Sequence, residues 1–70
     1  MAVLELDRKK VLREDAEHLI REHYRLAAEL GWEATQAYMV GNHHTGDVLT
    51  EQRDLHSQTA ATLEFLLEGI

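Results

Sequence analysis

The chain has no cysteine and no proline in 70 residues. The first absence excludes disulfides and thiolate metal ligands. The second leaves no residue that must break a helix from within. β-Branched runs are few, which favours helix over strand. Positive charge is scarce after the first third. Residues 1–25 hold six acids and six bases, whereas residues 26–70 hold seven acids and one base, Arg53. No apolar run approaches the roughly 20 residues of a membrane span. The opening "MAVLELDRKK" meets its charges too early for a secretory signal. The expectation is a soluble cytoplasmic protein with no membrane partner.

The apolar fraction of 44% belongs to a folded chain rather than a disordered one. A net charge of −6 repels phosphate and suits either a basic partner or plain solubility. A core this small supplies only about 3–5 kcal/mol by itself. Self-association, a partner, very regular helix contacts or a histidine–carboxylate metal would have to supply the rest.

Periodicity predicts an all-α domain of three helices, long, short and long, behind an N-terminal arm at residues 1–6. Helix 1 is expected over residues 8–30, with Asp7 as N-cap, Leu6 and Val11 as a hydrophobic staple and Gly31 as the residue that ends it. Its apolar face holds Leu12, Ala16, Leu19, Ile20, His23, Leu26, Ala27 and Leu30. Helix 2 is expected over residues 33–41, nearly in phase with helix 1. A single helix bent through Gly31 is the alternative, at a cost of about 1 kcal/mol for a mid-helix glycine. Residues 42–47 then make a turn. Asp47 caps helix 3, residues 48–68, and Gly69 ends it. The stripe of helix 3 is broad, running from Val48 and Leu49 through Leu55, Ala60, Leu63, Leu66 and Leu67 to Ile70. Helices 1 and 3 should pack antiparallel. Phe65, Tyr24 and Val11 fall outside the stripes, which favours a homodimer with a four-helix core.

Three constellations bear on chemistry. The first is the histidines. His43 and His44 stand with Asp47 in "GNHHTGD", and imidazole with carboxylate suits zinc, nickel or iron. A zinc site needs three or four converging ligands, and neighbours on a loop diverge. His23 and His56 each sit amid an apolar face. If helices 1 and 3 pack together the two rings could meet, giving either a hydrogen-bonded core pair or a metal- or pH-responsive site. His18 lies on the polar face among Glu14, Asp15 and Glu22, as a surface charge cluster.

The second is "LAAELGWEATQAYMV", residues 26–40, which has helix-turn-helix spacing around Gly31. Thr35, Gln36 and Asn42 would be the base-reading side chains. No base occurs between Arg25 and Arg53, so the phosphate contacts that dominate DNA affinity are missing, and nucleic acid is not the expected partner. The third is nucleophilic catalysis. Ser57 follows His56 directly and points elsewhere on a helix, and no phosphate loop or nucleophile elbow is present. No enzyme activity and no cofactor are expected.

The function these features favour is a small regulatory protein that presents an acidic helical surface to a larger protein. Glu51, Asp54, Glu64 and Phe65 are its expected partner-binding residues, with inhibition of a nucleic-acid-binding target as one form. The alternatives are a helix-turn-helix repressor and a histidine-based metal- or pH-responsive bundle.

Overall fold

The computed structural model describes the backbone of residues 2–69, and side chains from residue 8 onward except those of Lys9 and Ile70. Two helices make up the fold: α1, Ala2–Met39, and α2, His43–Glu68. They lie against each other as an antiparallel hairpin 60 × 15 × 11 Å in extent. A helix of 38 residues spans about 57 Å, so α1 alone sets the long dimension.

The three-helix expectation is therefore corrected. Gly31 does not end a helix; α1 runs unbroken from Ala2 to Met39, the single-helix alternative. The expected arm at residues 1–6 is helical from Ala2. The capping role expected of Asp7, the Leu6 half of the staple and the place of Ile70 in the stripe lie outside the described side chains. Gly31 is tolerated in mid-helix because α2 passes close by: a Cβ there would stand 3.3 Å from Arg53 Cδ.

The real turn is Val40-Gly41-Asn42. Gly41 takes φ +82°, the left-handed conformation that favours glycine. Its N–H donates to the Tyr38 carbonyl at 3.0 Å, and the Asn42 N–H donates to the Ala37 carbonyl at 2.8 Å. This pair of bonds is the Schellman closure, which satisfies carbonyls the helix end would otherwise leave open. Asn42 at once begins the next helix. Its side-chain oxygen accepts from the Thr45 N–H at 3.3 Å, so Asn42, not Asp47, is the N-cap of α2. The expected turn at residues 42–47 is thus mostly the first turn of α2. At the far end Gly69 does close the helix, its N–H bonding back to Leu66.

The seam between the helices is narrow, and its buried residues are mostly small. On α1 the inward positions are 16, 20, 23, 27, 30, 34 and 37, and on α2 they are 46, 49, 53, 56, 60, 63 and 67. Steps alternate between three and four residues, the pattern of a two-helix coiled seam. The buried apolar residues are Ile20, Ala27, Ala34, Ala37 and Ala60, with Gly46 buried beside them. Alanine and glycine bring the two backbones close, and among the described residues no large side chain is fully enclosed. Arg53 against Gly31 and Tyr38 over Gly46 set the register. They bring Glu68 level with about residue 16 of α1, so the first turns of α1 run past the end of α2.

Gly46 locks the turn end. A Cβ at this position would lie 2.6–2.7 Å from the Tyr38 ring. The Tyr38 hydroxyl reaches over Gly46 and donates to Asp47 Oδ1 at 2.6 Å. Gly46→Ala should therefore destabilise the hairpin by about 1–3 kcal/mol, the usual range for forcing bulk into a filled site. Thermal melts should show the loss in the wild-type background and its disappearance in Tyr38→Ala. An equal loss in both backgrounds would contradict the contact.

Candidate functional site

Four features of the hairpin can carry function: a histidine pair in the seam, an acidic ridge on α2, one edge held by tyrosines and an opposite edge of exposed leucines.

The histidine pair is the most specific. His23 Nδ1 and His56 Nδ1 are 2.9 Å apart. The ring centroids are 5.2 Å apart with planes tilted by 33°, and both residues are half-buried. In a neutral imidazole one nitrogen donates and the other accepts. The contact therefore requires opposite states at the facing nitrogens: one ring bears its hydrogen on Nδ1, and the other leaves Nδ1 bare. A singly charged pair keeps the bond. A doubly charged pair places two N–H groups face to face and has no acceptor. The nearest charged seam residue is Arg53, one turn before His56. Glu64 stands two turns after it, on the edge shared with Tyr24.

The structure thus brings His23 and His56 together, and it separates them from His43 and His44. Those two lie in the exposed first turn of α2, 12–13 positions from His56 and therefore roughly 18–20 Å away along the helix. His43 stacks loosely on Tyr38, with ring centroids at 5.8 Å. Among the described residues no three histidine or carboxylate side chains cluster closely enough to share a metal ion. The His43–His44–Asp47 grouping is also undone locally, since Asp47 is engaged by Tyr38.

The acidic ridge lies on the side of α2 away from the seam, where Asp47, Glu51, Asp54, Phe65 and Glu68 follow one another at three- or four-residue steps and multiples of them. Glu51, Asp54 and Phe65 are exposed. Asp54 is partly engaged, accepting from Arg53 Nη2 at 2.9 Å and Nε at 3.1 Å. Glu64 does not share the ridge. It turns toward α1 and lies near the Tyr24 hydroxyl.

Tyr24, Gly31 and Tyr38 are seven apart and form one edge of the hairpin, facing Thr50 and Glu64 of α2. The Glu64 carboxylate beside it, and then partial burial, push the Tyr24 phenol up from its ordinary range. Its folded value is raised, so the contact contributes below the ordinary phenol value near 10 and is lost as pH rises through the raised one. On the outer face of α1, Arg25 bridges Glu22 at 2.8 Å and Glu29 at 2.6 Å. The Arg25 hydrogen bond, and then its charge, hold the Glu22 carboxyl below its usual range. That contribution is present above the unfolded carboxylate value and fades as pH falls through the lowered one.

The helix-turn-helix residues come out otherwise than expected. The corner over residues 26–40 is absent, because α1 is continuous there. Thr35 spends its hydroxyl on the Gly31 carbonyl at 3.0 Å, Asn42 caps α2, and Gln36 is exposed on α1. Sequence reading also missed Arg53 as a seam residue and Tyr38 as the lock over Gly46. Strict three-four counting back from Leu67, Leu63, Ala60 and His56 reaches Arg53 and would have found the first.

Comparison with protein-family models, curated proteins and solved structures finds no match to this chain. Among the described residues no helix is long and apolar enough to cross a membrane.

The histidine contact joins the two helices by one hydrogen bond. The bond should be worth about 1 kcal/mol, or roughly 4–8 °C in melting temperature. A double-mutant cycle of His23→Leu and His56→Leu, read by thermal melts at one fixed pH, should return a coupling of about that size. A coupling of zero in folded proteins would contradict the pairing.

Proposed function

We propose that the chain is a helical-hairpin interaction protein, self-associated as a homodimer, that regulates a larger protein by presenting the acidic ridge of α2 to it. The observation that carries the reading is the imbalance between inside and outside. The buried residues of the seam are mostly alanine and glycine, while Trp32, Met39, Val40 and Phe65 stand 66–81% exposed. Isolated exposed apolar residues are ordinary, but this many large ones on so small a chain mark interaction surfaces. On the ridge, Glu51 and Asp54 supply charge and Phe65 an aromatic anchor, the combination that gives steering and a hot spot at a protein interface. A basic target surface, including one that otherwise holds nucleic acid, fits that ridge.

The second reading, a proton-responsive hairpin, is favoured by the 2.9 Å histidine contact. It is compatible with the first, because opening the seam would alter whatever surface the hairpin presents.

A tagged chain should retain a stoichiometric protein from a nuclease-treated lysate of its source cells. Glu51→Lys/Asp54→Lys should weaken that retention at least about tenfold, and raised salt should weaken it for the wild type as well. Recovery of nucleic acid alone, or equal retention by the charge-reversed variant, would overturn the ridge as the binding surface.

A further inference from the structure

The geometry points to one edge of the hairpin as the place where a second copy of this chain docks, completing a four-helix bundle. The inference deepens the self-association proposed above and rests on it. Leu12, Leu19 and Leu26 are seven apart on α1 and lie on the flank opposite the Tyr24–Gly31–Tyr38 edge. Because Tyr38 and Tyr24 meet Thr50 and Glu64 on the first edge, the α2 residues flanking the seam on the other side share the leucine edge. These include Leu66, with Val48 and Leu55 one step further out. Of these six, only Leu26 is even half-buried; the others are exposed.

Three observations choose a second copy as the occupant. The first is the pattern. A two-helix seam needs apolar residues at only two positions in seven, whereas helices of a bundle carry a third, flanking one. The flanking leucines of α1 are that third position.

The second is area. The chain exposes 5492 Å², against roughly 4,400–4,500 Å² for a folded monomer of 8.0 kDa. The surplus of roughly 1,000 Å² is close to the about 800 Å² that each partner gives to a standard interface. A second hairpin laid along the 60 × 15 × 11 Å rod would thicken it and remove that surplus.

The third is charge. On the α2 half of this edge the apolar residues alternate only with threonine and glutamine, Gln52 and Thr59 among them. The acids of α1, Asp15, Glu22 and Glu29, follow one another at seven-residue steps just outside the leucines, with Glu22 and Glu29 already bonded to Arg25. Two copies each carrying −6 can meet on this edge with their acids at a wet rim, as interfaces are built. A basic protein would be drawn to the α2 ridge instead.

Light scattering and sedimentation equilibrium on the full chain, over roughly 1–100 µM, should give twice the 8.0 kDa chain mass, with a melting temperature that rises with concentration. Leu19→Glu/Leu55→Glu should weaken association at least about a hundredfold, whereas Trp32→Ser/Phe65→Ser, off this edge, should leave it within about twofold. A wild-type dimer that persists in Leu19→Glu/Leu55→Glu, or that Trp32→Ser/Phe65→Ser breaks, would overturn this edge while leaving self-association intact. A wild type that is a folded monomer throughout would overturn both, and would leave the edge to a helix of another protein. If Leu19→Glu/Leu55→Glu unfolds outright, the concentration dependence of wild-type melting decides: a rise supports the interface and a flat line refutes it.

Discussion

Everything in this hairpin depends on the close approach of two helices along a seam of alanine and glycine. Ala27, Ala34, Ala37 and Ala60 have no side chain beyond Cβ, and Gly31 and Gly46 lack even that. The backbones can therefore come near enough for Arg53 to lie against Gly31 and for the Tyr38 ring to cover Gly46. The same closeness allows two half-buried imidazoles to meet at hydrogen-bond distance. Larger seam residues would hold the helices apart and remove all three contacts together.

Closeness has an energetic consequence. Alanine contributes little transfer free energy compared with leucine or isoleucine, since burial scales with apolar area at about 25 cal/mol per Å². Leucines could supply that energy, but the seam only half-buries Leu30, Leu49, Leu63 and Leu67, and Leu12, Leu19, Leu55 and Leu66 are left in contact with water. The architecture thus trades core volume for register. The Tyr38–Gly46 lock, the Schellman turn at Gly41 and the histidine contact set alignment, while the apolar area that would stabilise the fold lies on its outside. In the proposed dimer, that arrangement would tie stability to association, and it is the reason the proposed function is placed on the external surface.

The class, the antiparallel pairing and the meeting of His23 with His56 were legible in the sequence, because three-four periodicity and the absence of proline constrain them directly. Gly41 as a helix stop and Gly69 as a helix end were legible for the same local reason. The count of helices was not. Gly31 looks like punctuation in one dimension, and only the proximity of Arg53 from the other helix gives it a reason to sit within a continuous one. The α2 cap was misplaced by five residues: Asp47 and Asn42 are both good capping residues, and the choice between them depended on the tight turn at Gly41. The broad apolar stripes were read as facing a single partner helix. In fact the strict seam takes only part of each stripe, and Leu19 and Leu55 fall outside it. Of the expected partner-binding residues, Glu64 was read together with Glu51 and Asp54, but its contact with Tyr24 ties it to the inter-helix edge.

The central claim is a single register: an unbroken α1 paired with α2 so that His23 meets His56. Nuclear Overhauser contacts in the folded protein test it most directly. The expected result is ring-to-ring contacts between His23 and His56, with sequential helical amide contacts continuing without a break through Gly31. Absence of the histidine contacts in a folded sample, or a break in the helical connectivity at Gly31 and Trp32, would contradict it.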